Sequence, residues 1–220
     1  MWAFDDAGCA FARTWLVNSR GPPTTMQTLT WALAHVPSFV LAASLLMVFW
    51  NAHHRWSRRY GLDDSATIIL SCLLVFTVLV FVYPLRFMMN ALVSGTASMM
   101  GLSIGPDMRT LGITGVHDAN QMFVIYGAGF MTMSVAIALL NLHAWRRRDA
   151  LELNAVERME TRVELGTWGI LFVAGLLSTL IAAAFPNAMP LGGWPYALLG
   201  IVVPLYQRYA RRSPGAADQE

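Results

Sequence analysis

Phe49-Trp50-Asn51-Ala52-His53-His54-Arg55-Trp56 closes a long apolar run with aromatic rings, a pair of histidines and the first residue of an arginine cluster. The preceding residues, 36 to 50, carry no charge. A helix needs about 20 apolar residues to cross the roughly 30 Å hydrocarbon layer, and aromatic and basic residues gather where it leaves that layer. Residues 33 to 53 therefore predict a transmembrane helix. The same reading predicts spans at 66–85, 119–143, 165–185 and 194–207, the last interrupted by Pro195 and Pro204.

Composition points the same way. With 56% hydrophobic residues, 13% charged residues and a mean hydropathy of +0.49, the 220-residue chain has too little polar surface for a soluble globule. The expected class is an all-α polytopic membrane protein, a single domain over residues 1–212 with a polar tail at 213–220. The lipid bilayer is its partner, and a net charge of +2 gives no basis for binding nucleic acid. Cys9 and Cys72 lie in or beside apolar segments, where cysteine acts as a small hydrophobe, and no spacing pairs them. Asp5, Asp6 and Arg13 interrupt the stretch where a cleavable signal would keep a continuous apolar core.

The arginines set the orientation, because short cytoplasmic loops retain basic residues. Arg55, Arg58 and Arg59 follow the span at 33–53. Arg146, Arg147, Arg148, Arg158 and Arg162 lie between the spans at 119–143 and 165–185, and Arg208, Arg211 and Arg212 follow the last. These are eleven of the fifteen basic residues, all of them arginine. The C-terminus is thus inside, and a further helix at about 2–18 puts the N-terminus inside too. That segment carries two acids and an arginine, each costing about 2.5–3.5 kcal/mol at the centre of a lipid-facing helix, so it needs protein around it. Phe4, Phe11, Trp15 and Asn18 recur on one helical face, away from Arg13.

These residues together resemble the transmembrane protein 175 family, the bacterial and lysosomal potassium channels. Its six-helix repeat carries a Phe-Ser-Asp signature on the first helix and a Trp-x-x-His-His-like signature at the end of the second. Trp50-Asn51-Ala52-His53-His54-Arg55 matches the second signature. Pro37-Ser38-Phe39, the run from Arg58 to Asp64, Tyr83-Pro84-Leu85-Arg86 and residues 143–165 extend the likeness, which covers about residues 30–207. Phe4-Asp5-Asp6-Ala7 stands where the first signature belongs, and Gly8, Cys9 and Arg13 replace bulky apolar residues there.

The resemblance implies a potassium or monovalent-cation channel of the bacterial inner membrane, a homotetramer whose first helices line the pore. It implies a hydrophobic constriction at Phe11, Trp15 and Asn18, which gates by dewetting. It also implies that the acids of Phe4-Asp5-Asp6 are held by a supporting network of Trp50, Asn51, His53, His54 and Arg55. K+ is then the permeant ion, with no cofactor, no metal centre and no enzymatic step. The plain alternative for the histidines and Arg55 is a helix end seated in the headgroup layer.

Other classes fit less well. A secondary transporter places ionisable groups at mid-membrane, whereas the span centres hold Ser44, Ser71, Thr77, Thr132, Ser134 and Ser178. A non-conducting remnant of the family would account for Asp5, Gly8, Cys9 and Arg13, but not for the intact second signature. A haem protein would pair His35 with His117 and His53 with His143. Those pairs stand about 27 Å apart along one helix and 39 Å along the other, at mismatched depths. His53 and His54 themselves point about 100° apart and offer no shared ligand face. Residues 87–117, with scattered glycines, are expected to be a flexible outer connection without a carbonyl-lined filter sequence.

Overall fold

The computed structural model describes residues 25–102, 113–187 and 191–212. Among these, six α-helices follow one another: α1 (Met26–Ala34), α2 (Val36–Tyr60), α3 (Ser65–Met99), α4 (Val116–Arg146), α5 (Ala155–Ala184) and α6 (Trp194–Arg212). A 3-10 turn, Leu191–Gly193, precedes α6. The helices α2 to α5 are each long and apolar enough to cross a membrane. The expected helical membrane architecture is therefore observed. The N-terminal segment at 2–18, with Phe4, Asp5, Asp6, Phe11, Trp15 and Asn18, lies outside the described residues, as does the tail at 213–220.

Local chemistry fixes where the helices begin and end. Pro37 sits in the first turn of α2, where a missing N–H costs nothing, and His35 breaks the chain between α1 and α2. The N–H of Gly61 bonds to the Ser57 carbonyl with φ at 55°, a left-handed cap that glycine adopts without Cβ strain. Asp64 caps α3 through the Thr67 N–H. Asn154 and Glu157 form a reciprocal capping box that starts α5 ten residues before the expected span. These caps carry α2 past residue 53 and start α5 before residue 165.

The outer connection differs most from expectation. Instead of a flexible segment from residue 87, α3 continues to Met99. Hydropathy falls after Arg86, but Met88, Ala91, Ser94 and Ala97 recur at helical spacing and are all buried. The helix persists because one stripe still packs, although its overall composition has become mixed.

The core lies between α2, α3, α4 and α5. Phe49, Phe81, Leu85, Met133, Ile137 and Trp168 are buried together there, with Phe49 set edge-on to Phe130 at 5.7 Å. A second cluster of Trp56, Tyr60, Leu140, Ala144 and Leu153 fills the inner end. Where α4 meets α5, a Cβ on Gly127 would overlap Thr179 Oγ1 and stand 3.1 Å from the Gly175 carbonyl. Glycine is what allows this approach. Large apolar side chains such as Ile69, Phe76, Val80, Leu180 and Ile201 remain exposed, as a bilayer solvent permits.

Candidate functional site

The second signature forms the inner third of α2. Successive residues turn by about 100°, so its rings split into a stacked edge and its polar groups into two directions. Trp50 stacks on His54 with centroids 6.2 Å apart, His53 on Trp56 at 6.4 Å, and Trp56 leans on Tyr60 at 5.7 Å. The rings thus form a ladder along the helix end.

The polar groups tie α2 to its neighbours. His53 Nε2 lies 3.0 Å from Ser71 Oγ on α3. Arg55 pairs with Glu164 on α5 at 3.3 Å, and Glu164 also accepts the Trp168 indole N–H at 3.2 Å. Tyr60 and Thr161 share a hydrogen bond. Asn51 and His54 are exposed, and with Ser44, Val48 and Arg55 they lie on the outward side of α2. A strip of this polarity on a membrane helix is suited to protein contact rather than to lipid. The acids predicted to meet it, Asp5 and Asp6, are outside the described residues.

The sequence reading missed a second node. Asp64 Oδ2 sits 2.8 Å from His143 Nε2 and 2.9 Å from an Arg147 guanidinium nitrogen, joining the start of α3 to the end of α4. Its other oxygen accepts from the Thr67 N–H and hydroxyl. The Thr67 hydroxyl, foremost, together with the Thr67 N–H and His143, holds the Asp64 carboxyl down at about 2. The Asp64-x-x-Thr67 cap was readable as a helix start, but its partner 79 residues away was not. A third contact also escaped it: Arg211 on α6 pairs with Glu160 on α5 at 3.1 Å.

The described histidines do not form the two haem pairs. His53 is engaged with Ser71 and His143 with Asp64, while His35 is buried and His117 exposed. Among the described residues, no three His, Cys, Asp or Glu side chains gather as a metal site.

The hydroxyls at the span centres are all internally used. Ser44, Thr77, Thr132 and Ser134 each donate to a carbonyl four residues earlier on their own helix, at 2.7–2.9 Å. Ser71 meets His53, and Ser178 donates to the Gly192 carbonyl at 2.6 Å. Back-bonded hydroxyls satisfy themselves and present little to a passing substrate. The described bundle is thus a packed wall.

The chain is 30% identical to a potassium channel of Marivirga tractuosa over 183 residues, 83% of this chain and 74% of that protein. It is also similar to the crystal structure of a variant of the potassium channel MtTMEM175 in complex with a nanobody–MBP fusion. That similarity has a TM-score of 0.79 and 27% identity, and covers 96% of this chain and 92% of the other. No protein-family model matches the chain.

Proposed function

This chain belongs to the transmembrane protein 175 family of potassium channels, and from that premise we propose that it conducts K+ passively through a pore lined by its N-terminal segment. The observation that carries the reading is the likeness to known potassium channels over nearly the whole chain. Conduction, with no chemical step, is its function.

In this reading several copies surround an axis in the bacterial inner membrane, because one N-terminal helix per chain cannot enclose a pore alone, and the family resemblance implies that they are four. Phe11, Trp15 and Asn18 line it. Phe4, Asp5 and Asp6 turn toward α2, where Asn51 and His54 present the exposed polar strip described above. Trp50, His53 and Arg55 hold that strip in place through the ring ladder, Ser71 and Glu164. The lining needs no fixed ligand or cofactor: a narrow apolar ring excludes water until it widens, and a hydrated K+ passes only when wetted. The packed, self-satisfied helix centres support a wall around such a path rather than a carrier's binding site.

Replacing Phe11 with Ala tests the lining. In planar bilayers Phe11→Ala is expected to raise unitary K+ current severalfold over the parent channel. An unchanged current would remove Phe11 from the constriction.

A further inference from the structure

The second half of α3 and the first turns of α4 border a half-open cleft of about 360 Å³, within the size range of small-ligand sites. Pro84 and Phe87 from α3, Ile113 before α4 and Ile125 from α4 make its apolar walls, and Asp118 and Gln121 supply its polar end. Arg86 closes the apolar run of α3, and Asp118 immediately precedes that of α4. The polar end therefore lies at the level of the outer headgroups. Ile125, 54% exposed, opens the other end toward the acyl chains.

Among the described residues, the hydrogen-bond donors to Asp118 all meet one of its two oxygens, with His117 beside it as its neighbouring ionisable group. Asp118 Oδ2 accepts from the Thr114 N–H at 2.9 Å, the Thr114 hydroxyl at 2.8 Å and the Gly115 N–H at 3.2 Å. All three donors converge on one oxygen. Among the described residues no arginine pairs with Asp118. Gln121, one helical turn further on, stands on the same face and offers an amide N–H.

We propose that this cleft seats an outer-leaflet phospholipid with a primary ammonium headgroup. The ammonium pairs with the second oxygen of Asp118, the phosphate takes the Gln121 amide, and an acyl chain follows Ile125 into the bilayer. Each part of the lipid meets its complement in the order in which the cleft presents it. A hydrated metal cation gains nothing from the apolar walls, and an anionic headgroup is repelled by Asp118. A choline headgroup has lost the N–H donors that strengthen pairing with a carboxylate.

The test is native mass spectrometry of the purified full chain, equilibrated with equal amounts of phosphatidylethanolamine, phosphatidylcholine and phosphatidylglycerol of identical acyl chains. The ethanolamine lipid should be retained about two- to fivefold over the choline lipid, the range a partly exposed ion pair supports. Asp118→Asn should bring the ratio to parity. Because Asp118 also caps α4, Ile125→Trp serves as the second variant, filling the cleft while leaving the cap intact, and it too should abolish the preference. Equal retention of all three lipids by the parent protein, or a preference that survives both variants, overturns the proposal. Displacement by dodecylammonium without any headgroup preference would assign the cleft to free amines and overturn it equally.

Discussion

Among the contacts between described residues, the two ends of this bundle are fastened by different chemistry. At the inner end, charged groups cross between helices: Asp64 to His143 and Arg147, Arg55 to Glu164, Arg211 to Glu160. At the outer end, neutral groups do so. Ser38 donates to Asn90, and Asn120 donates to the carbonyls of Phe185 and Pro186 at 2.9 and 3.0 Å. The difference follows from where the arginines cluster, since acidic partners can meet them at that end. The arginines thus also latch the helices, through Asp64 at the start of α3 and through Glu160 and Glu164 on α5.

The largest effect is expected at the outer end. Asn120 is 2% exposed and satisfies two carbonyls where α5 ends. Asn120→Leu leaves both acceptors unpaired and should cost about 1–3 kcal/mol. Thermal unfolding in detergent reads this, and the loss should be the same at low and high salt. A loss that vanished at high salt would erase the contrast between the two ends.

A smaller effect is expected at the inner end. Glu164→Gln removes the charge that meets Arg55 while keeping an acceptor for Trp168. Its cost should be within about 1 kcal/mol, the range of solvent-accessible pairs, and should shrink as salt rises through about 1 M, where the screening length is about 3 Å. The same unfolding measurement, run in a salt series, checks the sign.

Acid should act on the inner end through Asp64. Its carboxyl is held near 2, below the ordinary value of about 3.9. The stabilisation is therefore complete above about pH 4 and is lost as pH falls toward 2. Across that window the parent protein should lose more stability than Asp64→Asn. Parallel curves for the two would show that the link from α3 to α4 carries no weight.

Sequence reading located α2 to α5 because each is dominated by one composition over about 20 residues. It did not foresee the continuation of α3, because Met88, Ala91, Ser94 and Ala97 form a stripe too mixed for hydropathy to register. The early start of α5 was written in Asn154 and Glu157, a cap that hydropathy likewise ignores. At the candidate site, the signature at Trp50 to Arg55 was legible as a motif. Its partners Ser71 and Glu164 were not, since nothing in a single chain says which distant hydroxyl or carboxylate will meet a given helix face. The same holds for Asp64 and His143, brought together only when α3 and α4 pack antiparallel.

The central claim is that this chain conducts K+ through a pore lined by its N-terminal segment. The direct measurement is K+ flux, with Na+ as comparison, into sealed liposomes holding the purified protein under an imposed gradient, beside a matched preparation lacking residues 1–19. The account predicts flux that prefers K+ and disappears with the truncation. Absence of flux from folded full-length protein, or undiminished flux after truncation, would contradict it.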